Sequence, residues 1–462
     1  MSDTKIVQRK KDFNIKEGIR LPKLVTERKV GDFYLFIAPE KASFLTTNEF
    51  GWRILHFFKD GKTIEQVINA FKNDGIDQET IVSQLHRFLV KVEKKGFYED
   101  AEVTDFHVEQ PALHLDLTLK CNLFCPQCFQ NAGKERPNEL STEEWLKIID
   151  TFTSKYQTGV CFSGGEPMTH PGIFQILERA KERGLKVTLF SNGTYFTDEA
   201  IIKRLSQLVD KIQMSLDGAT AEVNDLIRGA GVFNQVILAA KWIDEAGIPL
   251  DIAISIMPQN VQDLKNNIES LVKMFGPKVN IRTSSLNKEG RANESHIFAS
   301  KLKGSQEVRE FTSQLYRKHL KILPTFDKNV RGNNCGYGET IVISSTGDVY
   351  PCNFYDERTK YGNLRDNDLL EIMEKIQIDM KRVEVENIEI CKNCDLKVFC
   401  LGGCRLNNIF RNNNLFVPLC TPEHKMELCQ RTVDREENDD PITLWLEGAK
   451  LDMHQNNANI KQ

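Results

Sequence analysis

The sequence predicts an α/β protein built on a partial (β/α)6 barrel, with a winged-helix-like module before it and a cysteine-rich region after it. Strand-like and helix-like segments alternate between residues 112 and 300, which favours a parallel sheet with functional groups at the carboxyl ends of its strands. A shorter run of one strand and three amphipathic helices precedes them. Ten of the twelve cysteines fall in two groups, 121–128 and 335–420.

Composition and charge restrict the classes of function. The chain has 462 residues and a net charge of −4, with no basic excess, so we expect no nucleic-acid partner. No apolar run approaches the roughly 18 residues of a membrane span, and residues 1–17 lack the apolar core of a signal peptide. We therefore expect a cytoplasmic protein that does not bind a membrane. Thiols stay reduced there, so the twelve cysteines are interpreted as metal ligands rather than disulfides.

The N-terminal segments follow in order. Phe33 to Ile37 has the composition of a strand. Apolar residues at helical spacing then predict helices over 47–58, 64–71 and 81–96. A plain packing domain and a nucleic-acid-binding wing are the alternatives for this module, and the missing basic patch weakens the second.

Six strands are predicted for the barrel, and helices fill the gaps between them. Ser141 with Glu144 forms a capping box that starts the first helix, and Gly184 ends a later one. Cys161, inside the second strand between Val160 and Phe162, is expected to pack in the core rather than to bind metal. The predicted strands cover residues 112–118, 158–163, 185–191, 211–216, 249–257 and 278–284.

The first predicted strand is followed by three closely spaced cysteines, Cys121, Cys125 and Cys128. Three thiolates can hold three corners of an iron–sulfur cube and leave one iron open for a ligand that is not protein. The next three strands end in Ser163–Pro167, Ser191–Thr194 and Ser215–Gly218, and Asn224–Gly229 comes shortly after. Each of these later motifs alone is more often a turn. Their position at successive strand ends predicts one shared site.

The Cys121-x3-Cys125-x2-Cys128 spacing, with Phe129 next and Gly164-Gly165-Glu166-Pro167 after the following strand, resembles the radical SAM superfamily over about residues 112 to 300. Gln127 departs from the aromatic residue that the family often has there. The resemblance implies a [4Fe–4S] cluster on the three cysteines and S-adenosylmethionine on its open iron. It implies a 5′-deoxyadenosyl radical as the reactive species, with no catalytic side chain beyond the cluster-bound cofactor. The implied cofactor-binding residues are Gly164, Gly165 and Glu166 for the methionine ammonium, and Asn192, Ser215 and Arg228 for its carboxylate and ribose; Asp217 is more doubtful, because it can simply make a turn.

The C-terminal cysteines resemble the SPASM domain, an extension of radical SAM enzymes that modify peptides and proteins. Zinc is the competing metal on ligand type, because four-thiolate sites suit it equally well. The resemblance implies two auxiliary [4Fe–4S] clusters, three clusters in all. The first auxiliary cluster lacks an upstream fourth cysteine and could keep an open iron, with Cys429 as the spare thiol nearby. The implied ligands are Cys335, Cys352 and Cys404 for the first auxiliary cluster and Cys391, Cys394, Cys400 and Cys420 for the second.

The N-terminal module resembles the PqqD-like domain, a leader-peptide recognition element, through Leu45 to Glu49, Gly51 with Ile54, and the Asp60 to Glu65 turn. An exposed edge strand can bind an extended peptide through backbone hydrogen bonds. The expected organisation is a disordered N-terminus (1–20), a PqqD-like domain (21–100), a linker (101–111), a radical SAM core (112–300), a bridging region (301–334), a SPASM domain (335–429) and a polar tail (430–462).

These resemblances imply a maturase of a ribosomally made precursor peptide, bound through its leader and served by a reducing protein such as flavodoxin or ferredoxin. The predicted reaction is a thioether bond between a cysteine sulfur and another residue's carbon, as in sactipeptides and ranthipeptides. Asn353 stands where relatives that mature sulfatases have an aspartate base, which disfavours that reaction. Carbon–carbon crosslinking, epimerisation, oxidative decarboxylation and a non-catalytic, zinc-stabilised peptide-binding protein remain the alternatives.

Overall fold

The computed structural model describes residues 13–105, 110–275, 279–285, 290–291, 329–353, 357–418 and 420–439. The first part of the predicted N-terminus and most of the bridging region lie outside these residues, as does most of the predicted tail. Among the described residues, no helix combines the length and apolar character that crossing a membrane requires.

The N-terminal module is a three-stranded antiparallel sheet packed on three helices. Asn48, Thr63 and Asp77 cap the helices with their side chains. A Cβ at Gly51 would lie 1.9 Å from Thr47 Oγ1, so only glycine lets the first helix approach this closely. The predicted strand and all three helices are confirmed. The elements are β1 (Thr26–Val30), β2 (Phe33–Ala38), β3 (Ser43–Thr47), α1 (Glu49–Lys59), α2 (Ile64–Asn73) and α3 (Gln78–Lys94), followed by the short strand β4 (Thr104–Asp105).

The central part is a parallel sheet whose strands alternate with helices. All six predicted strands are present with ends within two residues of the prediction, the capping box at Ser141 is formed, and Gly184 adopts a φ of +77° after the helix it ends. The strands are β5 (Ala112–Asp116), β6 (Gly159–Ser163), β7 (Lys186–Ser191), β8 (Lys211–Ser215), β9 (Leu250–Ile256) and β10 (Val279–Ser285), and the helices are α4 (Thr142–Thr153), α5 (Ile173–Glu182), α6 (Glu199–Leu205), α7 (Ala221–Arg228), α8 (Val232–Glu245) and α9 (Val261–Met274).

The cysteine-rich region continues this central sheet, which the sequence did not predict. Strand β11 (Val330–Arg331) pairs with β4, and then β12 (Thr340–Ile343) adds to the free edge of β5 in parallel register. Strands β13 (Asp348–Tyr350) and β14 (Gly362–Asn363) follow in antiparallel order, giving nine strands in the order β10-β9-β8-β7-β6-β5-β12-β13-β14. Side chains of β12 and β13 share one hydrophobic core with the six central strands. The cysteine-rich region is thus anchored beside the strand that leads into Cys121.

Five helices complete the described chain. The last one crosses the predicted boundary between the SPASM domain and the tail, because it continues to Asp439. Its Val433 packs with Leu396 against Val30 and Leu35 of the N-terminal sheet. The helices are α10 (Leu369–Arg382), α11 (Glu389–Lys392), α12 (Lys397–Cys400), α13 (Arg405–Asn412) and α14 (Pro422–Asp439).

Candidate functional site

The three N-terminal cysteines lie in one partly exposed loop directly after β5. Two of their sulfurs accept backbone hydrogen bonds: Leu123 N lies 3.5 Å from Cys121 Sγ, and Ala132 N lies 3.3 Å from Cys128 Sγ. Burial raises the pKa of Cys125 to about 11 and also raises that of Cys121. A metal must therefore displace a proton from each of these two thiols, which it does readily because thiolate is a strong ligand for iron and zinc.

Arg291 holds this loop in place although it lies far from the loop in the sequence, and sequence reasoning missed it. Its Nη1 donates to Cys125 O at 2.7 Å, its Nη2 donates to Ala132 O, and its guanidinium stacks 3.4 Å from the ring centre of Phe124. The Arg291 amide also donates to Cys128 O at 2.9 Å. No local motif marks this residue, because its partners lie more than 150 positions earlier.

Gly164 and Gly165 lie against the chain that enters the cysteine loop. A Cβ at Gly164 would lie 2.3 Å from Thr118 O, and one at Gly165 would lie 2.5 Å from Lys120 O. The amide of Gly165 donates to Thr118 O at 2.7 Å. These glycines therefore let the loop after β6 dock against that chain, and their contact with the methionine ammonium stays a prediction.

Glu166 is fully buried, and its carboxylate is occupied by protein donors. Asn192 N donates at 2.7 Å, Ser191 Oγ at 3.0 Å and Met168 N at 3.1 Å. Burial raises the pKa of Glu166 to about 7, although all three hydrogen bonds favour the anion. These hydrogen bonds tie the loops after β6 and β7 together. The contact of Glu166 with the methionine ammonium stays a prediction.

Asn192 contacts the sulfur of Cys121 directly. Its Nδ2 lies 3.8 Å from Cys121 Sγ and 2.9 Å from Asn122 Oδ1, while its Oδ1 accepts from Thr194 Oγ1 at 2.6 Å. The structure therefore places Asn192 beside the cysteine loop as predicted, with a hydrogen bond to the sulfur as its visible role. Ser215 lies partly exposed at the end of β8.

Asp217 is the centre of the polar network at these strand ends, although sequence reasoning assigned it only a doubtful role. Its side chain is fully buried and accepts from Arg228 Nε at 2.7 Å, from Gln127 Nε2 at 2.6 Å and from Ser255 N at 2.7 Å. Burial opposes the charge of Arg228, but Asp217 and then Cys125 raise its pKa overall. Arg228 is therefore a cation held between Asp217 and the cysteine loop. Gln127, noted only as a departure from the family, is the residue that connects the loop to Asp217.

Four of the C-terminal cysteines lie close enough for their charges to interact. The pKa of Cys391 is raised to about 11, first by burial and then by repulsion from Cys400, Cys394 and Cys420, so these four thiols are neighbours. The first group is placed less directly. Cys335 and Cys352 both act on the hydroxyl of Tyr337, and Cys335 and Cys404 both act on Arg405.

Cys429 and Cys161 occupy other places. Cys429 is buried at the contact with the N-terminal sheet, where its charged neighbours are Arg28, Asp395 and Cys394. This position offers no support for its use by the first group. Cys161 is only half-buried and lies outside the hydrophobic core, which corrects the expectation of core packing. Cys161 lies opposite His114 on the neighbouring strand. Burial lowers the pKa of His114, but the interactions of His114 with Cys161 and Asp116 outweigh this effect and raise the pKa to about 10.

A cavity of about 310 Å³ lies between the N-terminal cysteine loop and the hairpin of β12 and β13. One wall includes Asp116, Gln130 and Arg136, which flank the cysteine loop, and the other includes Asp348, Tyr350 and Glu357. Tyr350 precedes Cys352 by two residues. The cavity is therefore lined by residues that follow Cys128 and by residues of the strand that precedes Cys352.

The donor sets fit iron–sulfur clusters. Thiols are the ligands that such clusters select, backbone N–H groups point at two of the sulfurs, and Arg228 supplies positive charge beside them. Within the described residues, no group of three His, Cys, Asp or Glu side chains is arranged to hold a single metal ion.

Comparison with known proteins identifies the two parts that contain these sites. Residues 115–271 match the radical SAM superfamily, and residues 335–395 match the SPASM iron–sulfur cluster-binding domain. Two parts of the chain are therefore similar to a radical SAM domain and to a SPASM domain. Domains of these families imply iron–sulfur clusters and S-adenosylmethionine as cofactors.

Curated relatives differ in what their names describe. The mycofactocin maturase MftC of Mycobacterium tuberculosis is 28% identical over 310 residues, covering 64% of this chain and 78% of its own. The PqqA peptide cyclase of Granulibacter bethesdensis is 29% identical over 314 residues, covering 64% and 83%. An AdoMet-dependent heme synthase of Methanosarcina barkeri is 29% identical over 317 residues, covering 63% and 89%. Identity at this level does not distinguish a peptide substrate from another class of substrate.

Solved structures share the fold. Native anSMEcpe with bound AdoMet superposes with a TM-score of 0.52 at 19% identity, covering 74% of this chain and all of that one. Streptococcus suis SuiB bound to its precursor peptide SuiA gives a TM-score of 0.50 at 15% identity, covering 89% of this chain and all of that one. The α/β fold with its mostly parallel sheet is therefore that of radical SAM proteins.

Proposed function

We propose that this chain is a maturase that forms a thioether bond in a ribosomally made precursor peptide. Cys121, Cys125 and Cys128 would hold the radical SAM cluster. Two auxiliary clusters would be held by the C-terminal sets, Cys335, Cys352 and Cys404 in the first, and Cys391, Cys394, Cys400 and Cys420 in the second. When bound, the first cluster with S-adenosylmethionine supplies a 5′-deoxyadenosyl radical that abstracts a hydrogen atom.

The protein's own residues position and shield this chemistry. Asp217 holds Arg228 beside the cysteine loop, and Asn192 donates to the sulfur of Cys121. Glu166 and Gly165 fix the loops that surround them. Rigid placement of this kind is what a radical reaction needs from its protein, since the reactive species must meet one hydrogen atom and no other.

The cavity between the cysteine loop and the β12–β13 hairpin carries this proposal. Its volume of about 310 Å³ holds a few side chains rather than a whole folded partner. A peptide segment lying there would place one residue near the radical centre and another near Cys352. A thioether requires such a pair of positions, because one residue loses a hydrogen atom from carbon and a cysteine supplies the sulfur. The set of Cys335, Cys352 and Cys404 has one cysteine fewer than its neighbour, which suits it to a substrate thiolate.

The N-terminal module supports a peptide substrate in a second way. Strand β1 is the exposed edge of its sheet, whereas β3 is almost completely buried. We infer that a leader segment adds to β1 through backbone hydrogen bonds, as in other cases of strand addition. With Val30 paired to Phe33 across the two-residue turn, the N–H of Lys29 points away from β2.

The first experiment tests the radical chemistry. Protein purified without oxygen should contain iron and sulfide for three clusters and should cleave S-adenosylmethionine under dithionite. The variant C121A should keep the auxiliary iron and lose cleavage. Zinc in place of iron, with no cleavage, would instead support a non-catalytic peptide-binding protein.

The second experiment tests the product. A candidate precursor encoded beside the gene should lose two hydrogen atoms in mass on co-expression, together with one thiol that alkylation can detect. The same mass loss with all thiols still reactive would indicate a carbon–carbon link. An unchanged mass with an inverted residue would indicate epimerisation, and a larger loss would indicate decarboxylation.

The third experiment tests the leader site. Lys29→Pro removes one outward N–H while keeping the ladder to β2, and should weaken precursor binding at least tenfold. Lys29→Ala, which keeps the N–H, is the matched control. Equal binding by wild type and K29P would reject β1 as the leader site without affecting the thioether proposal.

A further inference from the structure

Arg405 is a fully buried cation at the start of α13. It is 1% exposed, and its guanidinium donates only to backbone carbonyls. Nε and Nη2 reach Val383 O at 3.0 and 2.5 Å, Nη1 reaches Gly403 O at 2.7 Å, and Nη2 also reaches Leu401 O at 2.9 Å. The described part of the chain offers this guanidinium no carboxylate partner within ion-pair distance.

The preceding glycines make the space for this side chain. A Cβ at Gly402 would lie 2.9 Å from Arg405 Nη1 and 3.1 Å from Nη2. Gly402 and Gly403 both adopt positive φ, +78° and +72°, which other residues rarely adopt. The run Leu401-Gly402-Gly403-Cys404-Arg405 therefore builds a socket for a guanidinium one residue after a cluster ligand.

Hydrogen bonds fix Arg405 in the segment that joins one ligand of each auxiliary set. Its guanidinium donates to Leu401 O, directly after Cys400 of the second set, and to Gly403 O, directly before Cys404 of the first set. The thiols of both sets also oppose the effect of burial, which lowers the pKa of Arg405. A buried charge without a counter-charge is costly, whereas arginine stays protonated under nearly all conditions. The thiolates of the two sets are thus the groups that compensate this cation.

We propose that Arg405 is a positioning residue shared by both auxiliary clusters, and that its fixed charge raises both of their reduction potentials. This inference rests on the auxiliary iron–sulfur sites of the proposed function. Reduction adds one electron to a cluster, and a nearby cation in a dry environment stabilises that added negative charge. Higher potentials would make both clusters better acceptors for the electron that a substrate radical releases when the thioether forms.

Potentiometric titration followed by electron paramagnetic resonance tests this role. In Arg405→Gln, the reduction equilibrium of each auxiliary cluster should shift at least tenfold toward the oxidised form, which is about 59 mV for a one-electron couple. The radical SAM cluster serves as the internal reference. Arg405→Lys keeps the charge and should stay closer to wild type than R405Q. Arg382→Gln, an exposed arginine of the same domain paired with Asp379, should leave all potentials unchanged.

The outcomes separate this inference from the function on which it rests. Iron and sulfide for a single cluster in the wild-type chain would overturn the assignment of the auxiliary sites. Unchanged auxiliary potentials in fully loaded R405Q would overturn the role of Arg405 alone. If R405Q loses its auxiliary iron, the R405K variant decides. Wild-type potentials in R405K would support the role of the positive charge, whereas the same loss of iron in R405K would show that the guanidinium only stabilises the fold.

Discussion

Replacing Asp217 by asparagine should disable the radical site while leaving the size of the side chain unchanged. Asp217 is fully buried and Arg228 is 11% exposed, so the pair is almost completely removed from water. Three hydrogen bonds, from Arg228, Gln127 and Ser255, end on its two oxygens, and Arg228 Nη2 makes an ion-pair contact with Asp217 at 2.7 Å. An asparagine has one oxygen to offer, and its NH2 group would face other donors.

The cost follows from the burial of both partners. Removing one member of a buried ion pair destabilises a protein by about 3–5 kcal/mol, because the remaining charge stays uncompensated. In D217N that charge is the guanidinium of Arg228, which lies beside Cys125. The loss of stability should affect the cysteine loop first, because Gln127 connects this loop to Asp217.

Asp251 provides the matched control on the same sheet. Its carboxylate is 2% exposed, but its partners Lys211 and Arg282 are 36% and 55% exposed and can be solvated by water. D251N should therefore cost about 1–2 kcal/mol, less than a fully buried pair. Asp251 lies at the start of β9, whereas Ser255 and the site lie at its end.

Three measurements separate the two variants: thermal unfolding, the signal of the radical SAM cluster, and cleavage of S-adenosylmethionine per folded molecule. D217N should lose stability, most of the cluster signal and most of the cleavage. D251N should lose some stability but keep both the cluster signal and the cleavage. Equal behaviour of the two variants, or normal cleavage by D217N, would refute the view that Asp217 organises the site.

Two further predictions concern the loop after β6. Gly165→Ala should lower the free energy of unfolding by about 1–3 kcal/mol and lower the iron content of the radical site, because the new Cβ would meet a backbone oxygen at 2.5 Å. Gly159→Ala in β6, where the nearest contact is at 3.4 Å, is the control and should be close to neutral. Similar effects of the two substitutions would contradict this prediction. Glu166→Gln tests the raised pKa of Glu166. In the folded protein Glu166 keeps its proton up to about pH 7, whereas in the unfolded chain it loses the proton at lower pH, so ionisation destabilises the fold. The free energy of unfolding of the wild type relative to E166Q should therefore fall by up to about 3 kcal/mol from pH 4.5 to pH 8. A difference in unfolding free energy that is flat or rising over this range would contradict the assignment.

The central strands could be predicted because their signal is local. The run Val187 to Phe190 is short, mostly apolar and followed by Ser191 and Asn192, as a buried parallel strand requires, and Ile252 to Ile256 is also short and mostly apolar. The addition of β12 to β5 could not be predicted in the same way. It pairs Thr340 with Ala112, and nothing in four residues of strand specifies a partner that distant.

The same distinction divides the site. The three cysteines and their spacing are local, so the sequence located the loop. The roles of Asp217, Gln127 and Arg291 depend on contacts between distant segments, and each residue type is common at turns or surfaces. Gly165 and Glu166 were selected for a ligand, and the structure adds a second role that the sequence did not indicate: Gly165 lets two backbone segments pack, and Glu166 joins two loops.

One feature common to the cysteine sets explains why buried arginines recur here. Arg228 lies beside Cys121 and Cys125, the Arg291 guanidinium bonds the backbone of the same loop, and Arg405 lies between the two C-terminal sets. Thiolates bound to iron keep much of their negative charge inside the protein, where that charge is costly unless it is paired. Arginine is suited to pairing it, because the guanidinium cannot lose its proton to the thiolates and its fork can be fixed by carbonyl oxygens. At the radical site, Asp217 cancels part of the positive charge of Arg228. Arg405 has no carboxylate partner among the described residues, so its charge is not reduced in this way. Arg405 should therefore act on the auxiliary sites with its full charge, and this charge should help them accept an electron that is released at the substrate.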